Sequence, residues 1–218
     1  MGLSQLPIAK AWEEKFREHG PLTIDLFFGR CKLDTGRQFK IAVLGSAQVP
    51  EDSAQGRRAF VIGREVASRK GVLLTGGCGG LPHAAALGAR SALGLTVAVS
   101  PAMNTEEHRE IYHYPEDSDV ILFTGMGPKG RNVILVRSAD AAIFVGGGIG
   151  TLNEFTIAFD ELDSKCGIGI LWHSQGLSDE LVRLPALVGR SPAALLVVES
   201  EPEKLVENLF SHLAAASD

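Results

Sequence analysis

Cysteine is scarce in this chain, and the few cysteines are not arranged for a covalent or metal-bound framework. The 218 residues contain three of them, Cys31, Cys78 and Cys166, which are far apart and odd in number. No Cys-x-x-Cys pair occurs, and no cluster of His, Cys and Asp has the spacing of metal ligands. The sequence therefore predicts neither a disulfide framework nor a zinc site, and we expect no bound metal.

Long apolar runs and basic runs are also missing. No apolar run approaches the length of a membrane span, and residues 1–20 carry acidic side chains without the continuous apolar core of a signal peptide. The 21 Lys and Arg residues are outnumbered by 26 Asp and Glu, for a net charge of −5. This balance argues against a surface for nucleic acid. We therefore expect a cytoplasmic protein whose partners are neither membranes nor nucleic acid polymers.

Glycine and aliphatic residues are abundant instead, with 25 glycines and 45% hydrophobic residues. From Lys40 onward, short apolar runs alternate with helical patterns, which predicts a doubly wound, Rossmann-like α/β domain over residues 38–218, a parallel sheet with helices on both faces. Residues 1–37 are predicted to be an appendage with an amphipathic helix, Leu6–His19, and a short strand, Ile24–Phe28. The predicted strands of the domain are Ile41–Leu44, Val72–Leu74, Leu95–Val99, Val120–Phe123, Ala141–Val145, Ile168–Trp172 and Leu195–Val198. The predicted helices are Gln55–Lys70, Leu81–Leu93, Gly130–Ser138, one opening at Thr151, Ser178–Leu184 and Pro202–Ala215.

The stretch from Ala141 to Glu154 carries the clearest functional signal. The five apolar residues Ala141–Val145 predict a strand buried on both faces, a glycine cluster follows at once, and a helical pattern opens at Thr151. This order directs unpaired backbone N–H groups and the positive end of a helix dipole at one point, which favours a phosphate. Glycine allows the positive-φ turn and lets a ligand approach the backbone closely.

Three other predicted strands, the first, second and fourth, also end in glycine-containing turns. In such sheets, ligands bind beyond the carboxyl ends of the strands, where the chain direction across the sheet switches. A strand-to-helix turn needs one or two small residues, not the three or four that several of these turns contain. We expect the turns to converge on one phosphorylated ligand. The predicted ligand-binding residues are Gly45, Ser46, Gly76, Gly77, Gly79, Gly80, Gly147, Gly148, Gly150 and Thr151.

The common nucleotide-binding fingerprints are incomplete in this chain. The segment Gly125–Gly130 matches Gly-x-Gly-x-x-Gly, but Val145 at the end of the next strand runs straight into glycine, with no acidic residue for a ribose. As a P-loop the segment also fails, because Arg131 and Asn132 stand where Lys and Ser or Thr are needed, and the magnesium-binding hydroxyl is lost. The sequence thus argues against a dinucleotide dehydrogenase and an ATPase.

Two charged residues, Glu154 and Arg131, are candidates for catalysis, and each has a plainer alternative. Glu154 follows Thr151 by three residues, the spacing of a capping box, so it either caps the helix or acts on the ligand. Arg131 lies at the predicted start of a helix, where the dipole disfavours a cation, so it is either solvated or bound to phosphate.

The polar segment Ala102–Asp119 is rich in His, Tyr and Glu and is predicted to be a lid rather than a regular element. We hypothesise that its Tyr112 and Tyr114 close over the site or stack on a base.

These residues together resemble a known superfamily. The stretch Gly146–Glu154, preceded by Arg131 and by Ser138–Ala141, is similar to the nucleotide-binding superfamily that includes the Lonely Guy phosphoribohydrolases, many of whose members are mislabelled lysine decarboxylases. Thr75–Leu81 resembles the second glycine loop of that superfamily, and Gly45-Ser46 its first. The resemblance covers roughly residues 40–200.

Two departures from the phosphoribohydrolase pattern place the chain closer in look to the branch that contains the molybdenum-cofactor carrier proteins. Gly146 occupies the place of the proline that opens the phosphoribohydrolase signature, and Arg131-Asn132 replaces its Arg-Lys pair. The resemblance also implies a homodimer, because relatives commonly pair through the helices beside the site.

Two functions follow from the resemblance. The first is hydrolysis of the N-glycosidic bond of a nucleoside 5′-monophosphate, with Arg131 neutralising the phosphate or fixing the ribose and Glu154 orienting or deprotonating water. It requires no metal and no cofactor. The second is a carrier that holds a phosphorylated cofactor such as a molybdopterin without transforming it. Lysine decarboxylation would need pyridoxal phosphate on a lysine, and since Lys129 is the sole lysine in a glycine loop, we do not expect that activity.

Overall fold

The computed structural model describes residues 38–217, and in that range it confirms the doubly wound α/β fold. The predicted helix and strand within residues 1–37 lie outside the described part. The strands are β1 (Lys40–Gly45), β2 (Val72–Thr75), β3 (Thr96–Ser100), β4 (Val120–Phe123), β5 (Ala141–Val145), β6 (Gly167–Leu171) and β7 (Leu195–Glu199). The helices are α1 (Ala54–Ser68), α2 (Leu81–Ser91), α3 (Thr105–Glu110), α4 (Gly127–Arg137), α5 (Ile149–Glu161), α6 (Ser178–Leu181), α7 (Leu184–Val188) and α8 (Pro202–Ala215).

The seven strands form one parallel sheet in the order β4-β3-β2-β1-β5-β6-β7. The chain winds outward in one direction from β1 to β4, crosses back, and then winds in the other direction from β5 to β7. The switch point therefore lies between β1 and β5, where Ile41 pairs with Ala141 and Gly45 with Val145. The turns that follow these two strands leave the sheet side by side, which is where ligands bind in folds of this kind.

Both faces of the central strands β1, β5 and β6 are covered, so the interior residues of these strands are apolar. On β1, Ile41 and Val43 point into one core with α1, α2 and α8, while Ala42 and Leu44 point into the other with α4 and α5. All five residues of β5 are buried. This alternation between two cores explains the unbroken apolar runs of the sequence. None of the helices in residues 38–217 combines the length and the apolar character needed to cross a bilayer.

Several element boundaries differ from the prediction in ways that affect the site. Helix α4 begins at Gly127, three residues before the predicted start, because Pro128 is compatible with the first turn of a helix. Helix α5 begins at Ile149, with Gly148 at the N-cap position, two residues before the predicted start. The predicted lid contains the short helix α3.

Candidate functional site

A cavity of about 490 Å³ opens at the carboxyl edge of the sheet, at the turns that follow β1, β2 and β5 and at the start of α4. The structure thus brings most of the predicted site residues together, although the four predicted turns are far apart in sequence. Those that line the cavity are Gly45, Ser46, Gly76, Arg131, Gly147, Gly148, Gly150, Thr151 and Glu154, whereas Gly77, Gly79 and Gly80 lie beside it in the turn after β2.

The turn after β5 presents a row of backbone donors. Within residues 38–217, no protein group accepts a hydrogen bond from the N–H groups of residues 147–151. Residues 148–150 are exposed to solvent, and Gly148 has no side chain to cap the helix. Gly147 has a φ of 95°, and a Cβ there would lie 2.0 Å from Thr151 Oγ1, so only glycine fits. Five consecutive N–H groups without an acceptor in the described part of the chain lie at the positive end of a helix dipole, which favours the binding of an anion.

A buried serine pair supports this turn from below. Gly146 donates its N–H to Ser174 Oγ at 2.9 Å, and Ser174 Oγ in turn lies 2.6 Å from the carbonyl oxygen of Leu171 and 2.8 Å from Ser178 Oγ. Leu177 donates its N–H to the carbonyl oxygen of Gly147. These serines could not be predicted as part of the site, because nothing in the loop sequence after β6 shows that it packs under the turn after β5.

The turn after β2 contributes differently, since the N–H groups of Gly77 and Gly80 are already used within the protein. Gly77 donates to Thr75 Oγ1 at 3.2 Å and Gly80 donates to Glu51 Oε1 at 3.0 Å. Gly76 instead makes room for a side chain: a Cβ built on it would lie 2.2 to 2.6 Å from three atoms of the Arg131 guanidinium. The glycine of this turn that lines the cavity is therefore there for close packing with Arg131.

Arg131 and Glu154 form a buried ion pair in the wall of the cavity. Arg131 NH1 lies 3.3 Å from Glu154 Oε1, and the two residues are 6% and 7% exposed. Burial raises the pKa of Glu154 to about 7, although the nearby charges of Arg131 and Lys129 act in the opposite direction. Arg131 Nε is buried without a hydrogen-bond partner among residues 38–217. Arg131 itself lines the cavity, so its charged guanidinium is a candidate partner for an anionic ligand.

The plainer alternatives for these two residues are wrong. The N-cap residue of α5 is Gly148, so Thr151 and Glu154 lie inside the helix and form no capping box. Arg131 lies in the second turn of α4 and is buried, so it is not a solvated residue at a helix start.

The predicted lid forms a wall of the cavity. His108 of α3 is fully buried, with Nδ1 2.8 Å from Ser100 Oγ and Nε2 2.9 Å from the carbonyl oxygen of Pro115. These bonds hold the following segment so that Tyr114 lines the cavity, with its ring centroid 5.5 Å from that of His108. The pKa of Tyr114 is raised, chiefly by burial, with Arg131 among the groups that lower it. Tyr112 packs against Tyr114 and does not line the cavity.

Other lining residues were not predicted. Cys78 is buried in the turn after β2, and burial raises the pKa of its thiol to about 11, so it stays neutral near pH 7. The only feature of the sequence that pointed to Cys78 was its position within a glycine cluster. Asn132 is buried beside Arg131. The unpredicted lining residues are Val43, Leu44, Ala47, Gln48, Cys78, Pro82, Pro128, Lys129 and Asn132. In the part of the chain that the structure describes, no three His, Cys, Asp or Glu side chains are grouped so as to hold a metal ion.

Comparisons with known proteins identify the family of the chain. A model of the SLOG cluster4 family matches residues 38–184 and confirms the superfamily resemblance. An uncharacterized protein of Archaeoglobus fulgidus is 38% identical over 122 residues, which is 56% of this chain and 74% of that protein. The structure of the molybdenum cofactor binding protein from Rippkaea orientalis is similar with 31% identity and a TM-score of 0.63, over 80% of this chain and 97% of that one. The molybdenum cofactor carrier protein of Chlamydomonas reinhardtii shows 26% identity and a TM-score of 0.61, over 82% and 99%.

Proposed function

The chain belongs to the SLOG cluster4 family, and from this membership and the geometry of the cavity we propose that it binds a phosphorylated nucleotide- or pterin-type ligand. The observation that carries the proposal is the row of N–H groups of residues 147–151, which have no acceptor among the described residues and lie at the same cavity as the Arg131 side chain. The volume of about 490 Å³ falls in the usual range for small-molecule sites, about 300–1,000 Å³.

The lining suggests how the ligand lies. Its phosphate is placed on the donors at the start of α5, where the helix dipole adds to the hydrogen bonds. Its ring system is placed against the less polar wall made by Tyr114, Cys78 and Pro82, where an aromatic face is available for stacking. Arg131 and Glu154 also line this cavity, and they contact the part of the ligand that connects its ring to its phosphate.

The ion pair supports hydrolysis of the N-glycosidic bond of a nucleoside 5′-monophosphate as the chemistry of this site. An oxocarbenium-like ribose needs a nearby carboxylate, and water needs a base. Glu154, with its pKa raised to about 7, has both protonation states available near neutral pH. Arg131 offsets the negative charge of the phosphate or fixes the ribose. No metal or cofactor enters this scheme.

A carrier function is the second candidate, and the names of two structurally similar proteins support it. The proteins of Rippkaea orientalis and Chlamydomonas reinhardtii, which cover 80% and 82% of this chain, are named for binding or carrying molybdenum cofactor. Gly146 and Asn132, which depart from the phosphoribohydrolase pattern, are compatible with a site that holds a pterin phosphate and leaves it unchanged.

One experiment separates the two functions. The purified protein is incubated with AMP and other nucleoside 5′-monophosphates while free base is measured by chromatography, and the untreated protein is analysed by mass spectrometry for a retained pterin. Release of base that is lost in Glu154→Gln supports hydrolysis, and a co-purified pterin supports the carrier. If the protein retains no phosphorylated molecule and binds none of those supplied, the proposed function is wrong.

We further propose that the protein is a cytoplasmic homodimer. The two cysteines in the described residues, Cys78 and Cys166, are both unpaired, as expected in a reducing compartment. The edge strand β4 and the adjoining segments expose apolar side chains, which is typical of a surface that pairs with another chain. These exposed residues are Met103, Val120, Leu122, Phe123, Met126 and Val133.

A further inference from the structure

Asn132 has a buried amide whose orientation is fixed by its neighbours. It follows Arg131 on α4 and is 3% exposed. One orientation satisfies both ends when the Asn153 amide is turned with it: the nitrogen donates to the carbonyl oxygen of Pro128 at 2.9 Å and to Glu154 Oε1 at 3.1 Å. The Asn132 oxygen then accepts from the Asn153 side-chain nitrogen, which takes the position 2.8 Å away that Oδ1 holds in the opposite orientation. The opposite orientation would direct the amide oxygen at two acceptors, which is unfavourable in a buried position.

Glu154 Oε1 therefore receives two donors from consecutive residues of α4. The amide of Asn132 lies 3.1 Å away and Arg131 NH1 lies 3.3 Å away, which is long for a hydrogen bond between charged groups. Among residues 38–217, no donor contacts Oε2. Glu154 lines the cavity, so Oε2 is the oxygen left for a ligand, and a proton bound there could be donated to it.

We propose that Asn132 is a positioning residue that orients the Glu154 carboxyl through Oε1 and, by doing so without a charge of its own, sets the pH at which that carboxyl ionises in the cavity. The relevance of this role to ligand chemistry rests on the proposed function. Its effect on Glu154 itself does not, because the contact exists in the ligand-free chain.

The charged and titratable groups around Glu154 show why a neutral residue at position 132 matters. Arg131 and Lys129 on α4 favour its ionised form, while burial opposes ionisation more strongly. Cys78, which faces the pair from the turn after β2, stays neutral near pH 7 because its pKa is raised to about 11. A lysine at position 132 would add a third positive charge and favour the carboxylate, whereas Asn132 supplies only a hydrogen bond. The residue at position 132 therefore affects how readily the Glu154 carboxyl ionises.

The test is a titration of Glu154 in the free protein by carbon-13 NMR of labelled glutamate carboxyls, with the resonance assigned by its absence in Glu154→Gln. Leu has the shape of Asn without its donor, so Asn132→Leu should raise the midpoint, because the hydrogen bond favours the ionised form. Asn132→Lys should lower it by about one pH unit or more. Asn132→Asp replaces the Leu variant if that variant does not fold, and its negative charge should raise the titration midpoint of Glu154 by repulsion. Equal midpoints in wild type and the folded variants would overturn the proposal.

Titration calorimetry with AMP on the same proteins distinguishes failure of the proposed ligand binding from failure of the proposed role of Asn132. If the midpoint moves as expected and AMP binding shows the same shifted pH profile, both are supported. If the midpoint moves but neither AMP nor inorganic phosphate binds, the proposed function fails and the positioning role of Asn132 stands.

Discussion

At the scale of single residues, burial decides the character of Glu154. Arg131 and Glu154 are 23 residues apart in sequence, and their side chains meet in a wall where both are less than a tenth exposed. A cation at 3.3 Å would lower the pKa of an exposed carboxyl, yet the pKa of Glu154 is raised from 4.5 to about 7 because loss of hydration is the larger effect. The residue is thus available as acid or base near neutral pH.

The raised pKa predicts a pH-dependent stability. Between pH 4.5 and about 7 the folded chain binds a proton on Glu154 that the unfolded chain has lost, so the stability linked to this group is full below pH 4.5 and is lost as pH rises through 7. Relative to Glu154→Gln, which cannot ionise, the melting temperature of the wild type should fall between pH 5 and pH 8. Thermal melts by circular dichroism check this. A wild type that gains stability over the variant in that range would mean that the ion pair outweighs burial.

Gly76 offers a test of the packing around Arg131. In Gly76→Ala the new Cβ would lie 2.2 Å from Arg131 NH1, so the guanidinium must move away from Glu154. We expect the affinity for AMP, measured by calorimetry, to fall by about tenfold or more, the equivalent of one hydrogen bond to a charged group.

The matched control for that variant is Gly79→Ala in the same turn. A Cβ on Gly79 meets nothing closer than 3.7 Å, and Gly79 does not line the cavity. Equal losses of AMP affinity in the two variants would show that the glycines are needed for the conformation of the turn and not for the space that Arg131 occupies.

At the scale of elements, the start of α5 is the anion site, and it can be altered one N–H at a time. Ile149 is the first residue of the helix, is 73% exposed, and has an N–H without an acceptor in the described chain. Proline is well tolerated at this position and removes only that donor. We expect Ile149→Pro to weaken AMP binding by about tenfold, while Ile149→Ala, which keeps the N–H, has a much smaller effect. Calorimetry measures both, and similar losses in the two would argue that the side chain matters and the donor does not.

The strands could be predicted almost completely from the sequence, whereas the helix starts near the site could not. Short apolar runs mark β1 to β7 to within a residue or two, and the signal is clearest in the central strands, which are buried on both faces. Helices α4 and α5 begin within glycine-rich segments, where propensity argues against a helix and tertiary packing provides it. The start of α5 was therefore predicted at Thr151 instead of Ile149, and the capping box that this start implied is not formed.

At the scale of the whole molecule, the fold explains why distant turns meet. The strand order places β1 beside β5, and the turns of β1 and β5 enclose the cavity with the start of α4. The convergence of turns was predictable from the rule for parallel sheets, as was the choice of Arg131 and Glu154 as candidates. Contacts between residues far apart in sequence could not be predicted. The pairing of Arg131 with Glu154, the position of Asn132 and the hydrogen bond from Gly146 to Ser174 depend on packing between helices and loops, which no local sequence pattern reports.

The exposed edge of the sheet predicts association. Leu122 lies on the edge strand β4 and is 49% exposed, so Leu122→Lys should disrupt pairing through this face and yield a monomer in light scattering after size-exclusion chromatography. Leu187 on α7 is 80% exposed and lies elsewhere, so Leu187→Lys should leave a dimer. A wild type that is monomeric at micromolar concentration would contradict the homodimer, and a dimer unaffected by Leu122→Lys would place the interface on another face.

The proposed function depends on main-chain N–H groups at the start of α5 that bind a phosphate. The most direct measurement is a proton–nitrogen NMR titration of the labelled protein with AMP and with inorganic phosphate. We predict saturable downfield shifts of the amide protons of Gly147, Gly148 and Gly150, and little change at Gly77 and Gly80, whose N–H groups already donate within the protein. Saturable shifts confined to other loops, or no shifts with either compound, would contradict the account.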